Sequence, residues 1–542
     1  MRIAQQKGYL TVVAVLLILV IGFLGTAIAY MFVSGGTSTT NFSLAEASLY
    51  ISESGLVKAT RFLLTPTLTG TNARISCAGL NSNSNLTNSA FGKGAFTVTT
   101  VSGSPFVSMD TLASAITSTA TTIPVTDVTG FASSGRILID REAINYTGIS
   151  GNSFIGVTRA VNNTLASSHT SGTSVSQLQC SLNSVGGIPS VSAANWQRVL
   201  QQSVELQEAY AVGVNTGGAF VASHWNQPTE LAWTNASLTS ASNTTLNGID
   251  MLSNAEGWTV GNTASTSFIY IHILAGTATV LSVAGGCAGQ NLLAVSAVSA
   301  SEAWAVGVVN RLTNCKNGNY RYTITRWNGS AWSSLSSATS PSIPADSSSA
   351  LSNLNAVQVI DTSGNGIGDF GFAVGDSGTI LKYNGTTWTK LTSPTTQSLN
   401  SVNIVSTNEA WAVGAAGVIL KWNGTSWSTF TSPTTTALNQ ITMLDTQGTG
   451  TASAGWAVGN SGVAITYNGT SWSSQNIGGV NRFGVKMFSA NDVWAVGVGG
   501  AITHWDGSAW TAFSSGVTTQ LNDIAIVSLK TEPLSGWQEI YP

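Results

Sequence analysis

Residues Tyr9 to Val33 run YLTVVAVLLILVIGFLGTAIAYMFV, an unbroken apolar stretch without a charge. A run of this length predicts a helix able to cross a hydrocarbon core with some tilt. Arg2 and Lys7 precede it and the next basic residue is Lys58. The positive-inside bias therefore leaves the amino end in the cytoplasm. From Ser43 to Leu64 the pattern changes. Leu44, Ala47, Ile51, Gly55, Ala59 and Phe62 fall on one face at i, i+3/i+4 spacing, the signature of an amphipathic helix. Ser34 to Thr37 loosens the junction between the two, and Pro66 ends the second helix. Ala95 to Val101 alternates like a half-buried strand. Between about Met109 and Val175, short apolar runs such as GRILIDREAINYTGIS are punctuated by Gly, Asn and Ser, which predicts a module of short strands.

The remainder is repetitive. Ala209-Tyr210-Ala211-Val212-Gly213 recurs as Gly257-Trp258-Thr259-Val260-Gly261, Ala303-Trp304-Ala305-Val306-Gly307, Gly371-Phe372-Ala373-Val374-Gly375, Ala410-Trp411-Ala412-Val413-Gly414, Gly455-Trp456-Ala457-Val458-Gly459 and Val493-Trp494-Ala495-Val496-Gly497, with a degraded eighth copy at Gly536-Trp537. A Leu-Asn strand precedes several copies (Leu354-Asn355, Leu399-Asn400, Leu438-Asn439, Leu521-Asn522). An aromatic-Asn-Gly turn follows, as in Trp327-Asn328-Gly329 and Tyr383-Asn384-Gly385. Asn-Gly suits a two-residue type I′ hairpin, whose centre residues both need positive φ. Each repeat then supplies about four strands in roughly 40–45 residues, the size of a propeller blade. Ala194-Asn195-Trp196 reads as the closing strand of a blade whose start comes from the other end of the chain. Seven blades are expected, with eight as the alternative.

Composition narrows the function. Of 542 residues only 8% are charged, against about 25% for an average soluble protein. With 20 Lys+Arg and 23 Asp+Glu there is no basic stripe, so no nucleic-acid partner is expected. No GxSxG, HExxH or P-loop occurs. A carboxylate-gripping arginine triad is not evident among Arg198, Arg311, Arg321, Arg326 and Arg482, and Glu205, Glu208, Glu230, Glu256, Glu302 and Glu409 read as turn residues. The expectation is no enzyme. The recurring tryptophans read as packing between blades. His224, Arg326, Lys382, Lys421, Thr466 and His504, each before the turn aromatic, read as a solvated and weakly cationic edge. His169, with no carboxylate beside it in the sequence, reads as structural.

Four cysteines allow three pairings. Cys77–Cys180 with Cys287–Cys315 keeps each bridge within one proposed domain and suits an exported chain. One loop has cation-ligand spacing: Asp361, Ser363, Asn365, Ile367 (through its carbonyl) and Asp369 stand at positions 1, 3, 5, 7 and 9, with glycine at 6. That pattern suits calcium. It lacks the acidic twelfth residue of an EF-hand, that place being Phe372, and the matching loop from Asp445 to Thr451 has lost its second carboxylate.

Lys7-Gly8-Tyr9 followed by the apolar helix resembles the leader of type IV pilins and pilin-like proteins, and Glu53-Ser54-Gly55-Leu56 resembles the corresponding stretch of MshP-like minor pilins and, more loosely, PilX. The resemblance covers about residues 1–110 with a short return around Cys180. It implies cleavage after Gly8 by prepilin peptidase, a methylated Tyr9 and packing against other pilin subunits. Val13 stands where pilins usually carry a Glu, as in minor pilins at a filament tip. A secretory signal cut after Ala27-Ile28-Ala29 is the competing reading. The repeats resemble photosystem II assembly-factor-like and BNR/Asp-box propellers, without the Asp-box itself.

The chain is thus expected to be mainly β with an amino-terminal α-helix. Its parts are a leader (1–8), a transmembrane helix (9–33), a pilin-like helix and first sheet strands (34–107), an inserted β module (108–175), a return strand and linker (176–195) and a propeller (196–542). The expected function is a non-enzymatic minor pilin-like subunit. It would sit in the inner membrane with a periplasmic domain and then on an extracellular pilus, presenting the propeller to a protein or glycan receptor. A secreted or anchored glycan-binding propeller or glycosidase, and an anchored assembly factor, are the alternatives.

Overall fold

A computed structural model describes residues 44–59, 77–214, 222–226, 234–236, 244–281, 291–308, 322–335, 341–342, 352–527 and 538–540, with breaks of one to four residues inside 44–59, 77–214 and 244–281. The apolar run Tyr9–Val33, the cleavage residues Gly8 and Tyr9, and Cys287 and Cys315 lie outside the described residues. Among the described residues, no helix is long and apolar enough to cross a membrane.

The helix over 46–59 lies across an antiparallel sheet of strands Ser89–Phe91, Gly94–Thr100, Ser174–Ile188, Trp196–Glu205 and Gln538–Ile540. Ile51, Leu56 and Ala59 meet Phe96, Val98, Leu182 and Leu200 in one core, with Leu44 and Ala47 packed at its margin. Phe62 is outside the described residues. Gly55 explains its place in the motif: a Cβ there would stand 2.3 Å from the Ser184 Oγ and 2.9 Å from Phe96. The helix can approach the sheet only without that carbon. Ser52 pins the contact, donating to the Arg198 carbonyl at 2.8 Å and accepting from the Gly186 amide at 2.8 Å. Cys77 and Cys180 are disulfide-bonded and buried in this core.

The 15-residue strand Ser174–Ile188 belongs to two units. Its second half pairs with Gly94–Thr100 and Trp196–Glu205, its first half with Phe106–Thr111 and Gly135–Ile139. The β module around that first half has its own core, built on Ile123, Ile137, Ile144, Tyr146 and Phe154.

Seven four-stranded sheets follow. Their inner strands are Thr244–Met251, Leu292–Ser299, Leu354–Ile360, Leu399–Ser406, Leu438–Leu444, Arg482–Ser489 and Leu521–Val527. Each packs beside the next, and the last packs beside the first. This is a closed seven-bladed β-propeller. Ring closure uses both ends of the repeat region: Leu521–Val527 is the inner strand of the sheet whose other strands are Glu208–Gly213, Ala222–Asn226 and Thr234–Ala236.

Two expectations change. Trp196–Glu205 is not a blade strand; all ten of its residues pair with Ser174–Ile188. The strand Gln538–Ile540, beyond the degraded eighth copy, pairs with Val199–Gln201 of that same strand. The propeller is therefore inserted between two neighbouring strands of the helix-bearing sheet. The Asn-Gly turns also differ from type I′. Only their glycines have positive φ, from 88° to 93°, and Tyr383 pairs with Trp388 across four residues rather than two. The asparagine carbonyl closes the turn itself: Asn384 Oδ1 accepts from the amides of Thr386 and Thr387 at 3.1 and 2.8 Å. A side-chain acceptor does the work that a second positive φ would do.

Candidate functional site

The inner strands splay around a channel and do not pair with one another, so the amides facing each neighbouring blade need other acceptors. Side chains supply them. Asp523 accepts from the Ile249 amide (3.0 Å), Asp250 from Ala297 (2.9 Å), Ser296 from Val359 (3.1 Å), Gln358 from Ile404 (2.5 Å), Asn403 from Met443 (2.9 Å), and Gln440 from Val485. A second tier explains the Leu-Asn phrase. Asn247, Asn355, Asn400, Asn439 and Asn522 donate to the carbonyls of Leu292, Leu399, Leu438, Arg482 and Leu246 in the following blade, at 2.7 to 2.9 Å. Burial pushes the Asp523 carboxyl up, against the pull of Lys486.

The module closes one mouth of this channel. The hairpin of Gly135–Ile139 and Glu142–Tyr146 presents Asp140 and Arg141 at its tip. Asp140 Oδ1 accepts from the Ala300 amide at 2.9 Å, and Arg141 donates to Asp250 at 2.7 Å and to the Ala297 carbonyl. The Ser168 amide donates to the Gly364 carbonyl at 2.9 Å. A cavity of about 330 Å³ remains between tip and channel, lined by Asp140, Arg141, His169, Gln358, Lys486 and Asp523 among others.

His169 has two carboxylate neighbours that its sequence position conceals. Its Nδ1 lies 2.7 Å from Asp140 and its Nε2 2.9 Å from Glu142, all three buried. Glu142 is also gripped by Arg159 through two 2.7 Å bonds. Burial works against the charged imidazole, but the two carboxylates overcome it and raise the His169 pKa to about 9. Burial likewise opposes the Glu142 charge, yet Arg159 and His169 hold its pKa down to about 2. Both ring nitrogens are engaged, so His169 clamps the hairpin tip and offers no site for proton transfer.

The repeated aromatics pack between blades. Trp304 meets Tyr383 of the next blade at 4.8 Å, Phe372 meets Trp422 at 5.1 Å and Trp411 meets Tyr467 at 5.0 Å between ring centroids. The residues of the expected cationic edge are instead stacked on rings and, in several blades, bonded to an acid. Arg326 pairs with Glu302 (3.1 Å), Lys421 with Glu409 (3.0 Å), His504 with Asp492 (2.7 Å) and His272 with Glu256 (3.1 Å). Each base also lies against the motif tryptophan of its own blade: Trp304, Trp411, Trp494 and Trp258. Lys382 faces no acid; Phe370 holds that place, and the ammonium lies over Phe370 and Trp422. Glu256, Glu302 and Glu409 are thus buried pair partners rather than turn residues.

In the loop with calcium-like spacing the acidic oxygens face inward. Asp361 accepts from the Ser363, Gly364 and Gly366 amides, Asp369 from the Thr362 amide and hydroxyl, and Asn365 Oδ1 from the Ile367 amide. The loop from Asp445 repeats this fold, with Ser453 in the place of Asp369 bonding Thr446. Among the described residues no group of three His, Cys, Asp or Glu side chains converges for a metal.

No known family profile matches the chain, and no curated protein does. Solved structures do. A protein from Lactobacillus plantarum is similar with a TM-score of 0.43 at 10% identity, over 60% of this chain and 99% of that one. YCF48 from Cyanidioschyzon merolae is similar with a TM-score of 0.37 at 18% identity, over 51% and 87%. The WD40 propeller domain of Doa1 gives 0.39 at 11% identity, over 58% and 89%. Likenesses at this level carry no functional argument; the propeller rests on its own seven sheets.

The clamp of Asp140, Glu142, Arg159 and His169 has no local signature in the sequence. Asp140 and Glu142 flank one hairpin turn while His169 lies well downstream. Only the fold of the module joins them. The acid–base pairs had a signal, because an acid opens the Trp strand in the same blades that carry a base before the turn aromatic.

Proposed function

We propose that the chain is a non-enzymatic display subunit: a pilin-like α+β stalk that carries an inserted β-propeller as a recognition head for a protein partner. The observation that carries this reading is the insertion itself. Both ends of the propeller segment return to one strand, Trp196–Glu205, within the sheet that packs the amphipathic helix. Head and stalk are thereby joined through two chain crossings and the docked module, which suits presentation of a head at a fixed orientation. The buried disulfide within the stalk core agrees with an exported domain. The residues with shifted pKa at the module–propeller junction are held in ion pairs and backbone bonds, which supports recognition over catalysis. The apolar run Tyr9–Val33 would anchor the chain in the inner membrane and then pack among pilin subunits of an extracellular filament, near its tip. The partner is a protein surface rather than nucleic acid, given the formal net charge of −3.

The test is amino-terminal sequencing of the mature protein from its native envelope, with immunolabelling of sheared filaments. A start at Tyr9 and label on filaments is the expected result. A start at Tyr30, or label confined to the medium, sinks the stalk reading.

A further inference from the structure

One arrangement of loops occurs twice in the propeller, and the chain's own module covers one of the two copies. From Leu292 to Gly497, successive blades alternate between a short and a long connection from the first strand to the second. The short LLAVSAVSASEAWAVG beginning at Leu292 matches LNSVNIVSTNEAWAVG beginning at Leu399, and the long LNAVQVIDTSGNGIGDFGFAVG beginning at Leu354 matches LNQITMLDTQGTGTASAGWAVG beginning at Leu438, each without a gap.

The hydrogen bonds match as well. Ser299 Oγ donates to the Gly366 carbonyl at 2.7 Å, and Ser406 Oγ to the Gly450 carbonyl at 2.7 Å. The Ser301 and Asn408 amides donate back to those serines at 3.3 and 3.2 Å. Trp327 donates to the Ala300 carbonyl at 3.1 Å and Trp422 to the Thr407 carbonyl at 3.0 Å. Glu302 receives the Gly368 amide and Glu409 the Ala452 amide, both at 3.1 Å. Asp361 and Asp445 close the long loops by accepting from Gly366 and Gly450.

In the first pair of blades this surface receives the module. The Ala300 amide is bound by Asp140, the Ala297 carbonyl by Arg141 and the Gly364 carbonyl by the Ser168 amide. In the second pair the corresponding groups are the Thr407 amide, the Ile404 carbonyl and the Gly448 carbonyl. Thr407 and Gly448 are exposed, and neither the Thr407 amide nor the Gly448 carbonyl bonds a described residue. Next to them lies an open cleft of about 590 Å³ lined by Ile404, Val405, Met443 and Leu444, with Asp445 and Gly448 among its other residues.

We propose that this cleft docks a β-hairpin tip from another protein chain, as its counterpart docks the hairpin of residues 135–146. The chain's own hairpin specifies the chemistry. The incoming turn needs an acceptor, Asp or Asn, for the Thr407 amide; the counterpart of the Gly448 carbonyl is met by the Ser168 amide, from a neighbouring loop of the module and not from the hairpin. It needs no arginine, because Asp250, which holds Arg141, is replaced by Gln358 at the equivalent position: Asp250 pairs with Trp258, and Gln358 with Phe372. The preferred tip is therefore uncharged beyond its acceptor. A second copy of this chain is disfavoured as donor, since its hairpin is already docked. The inference rests on the reading of the propeller as a recognition head, but not on the pilin-like stalk.

The test adds a disulfide-cyclised peptide of residues 135–146 with Arg141 replaced by asparagine to the full-length protein, read by hydrogen–deuterium exchange. Expected is protection of 404–408 and 445–452 at millimolar peptide or below, reduced at least tenfold in apparent affinity by Leu444→Glu and by Thr407→Pro. Two variants are used so that a folding defect in one does not decide the case. Absence of protection at 1 mM, equal protection in both variants, or loss of protection in the chain's own 135–146 hairpin (which would mean exchange at the first site) overturns the proposal. A native partner captured equally well by wild type and both variants would refute this site while leaving the recognition role standing. Peptide binding here with no partner on the propeller would do the reverse.

Discussion

The Asn400 side chain donates to the carbonyl of Leu438 across the gap between two blades, at 2.8 Å. Four other asparagines repeat this bond around the channel, and a second tier of Asp, Ser, Gln and Asn acceptors caps the amides just below. In an open ring of sheets these side chains take the role that strand pairing plays within each blade. Replacing Asn400 with leucine leaves the Leu438 carbonyl without its donor in a half-buried seam. A lost bond of this kind costs about 1–3 kcal/mol. The urea midpoint of the propeller should fall accordingly, while Asn328→Ala, in an exposed turn, should cost less.

Glu302 links three elements: the Trp304 indole at 2.7 Å, the Arg326 guanidinium, and the Gly368 amide of the next blade. Glu302→Ala should destabilise by roughly 3–5 kcal/mol, because a largely buried cation loses its partner. Lys382→Met should be near neutral, since that ammonium rests on rings and has no acid opposite it. A double-mutant cycle on Glu302 and Arg326, compared with Lys382→Met alone, checks both outcomes.

Much of the propeller was legible in the chain, and the reason is repetition. A buried Trp strand, a Leu-Asn strand and an Asn-Gly turn recur because each blade solves the same packing problem. The closing strand was misplaced because Trp196 resembles a blade tryptophan in isolation; only its pairing with Ser174–Ile188 shows otherwise. The basic residues before the turn aromatics looked solvated because their acids lie on a neighbouring strand, and strand order is what brings them together. No carboxylate stands beside His169 in the sequence, because Asp140 and Glu142 reach it only through the fold. The loop from Asp361 imitates a cation site since aspartates that cap their own backbone occupy the same spacing as aspartates that bind metal.

The His169 clamp sets a pH window. Its folded pKa, raised to about 9 from 6.5, contributes stability that is complete below pH 6.5 and disappears as pH rises through 9. Glu142, lowered from 4.5 to about 2, contributes stability that is complete above pH 4.5 and disappears as pH falls toward 2. The junction should therefore be tightest between about pH 4.5 and 6.5. Hydrogen exchange in the Gly135–Tyr146 hairpin, corrected for the intrinsic rate, should rise on both sides of that window. His169→Gln should flatten the alkaline limb and leave the blade strands unchanged.

The two long loops predict the same indifference to calcium. If aspartate oxygens serve the backbone in both, as their bonds show, Asp361→Asn and Asp445→Asn should each loosen their loop by about 1 kcal/mol. The loss should be the same in calcium and in chelator. A melting temperature that rises with calcium in the wild type but not in Asp361→Asn would restore the metal reading for the first loop.

Ring closure gives the sharpest test of the topology. Leu521–Val527 supplies the inner strand of a blade whose other strands, Glu208–Gly213, Ala222–Asn226 and Thr234–Ala236, lie at the other end of the repeat region, and Asp523 caps the Ile249 amide of the next blade. A chain truncated after Gln520 loses that strand, uncovers the pairing edge of Glu208–Gly213 and removes the packing partner of the two neighbouring inner strands. It should lose the cooperative unfolding of the propeller and aggregate through the uncovered edges. A chain truncated after residue 530 keeps the closure and loses only the partner of Val199–Gln201 in the stalk sheet. Its propeller should unfold at the wild-type midpoint, with faster exchange confined to 196–205. Equal damage from both truncations would mean that the stalk strand Gln538–Ile540, and not Leu521–Val527, holds the ring shut.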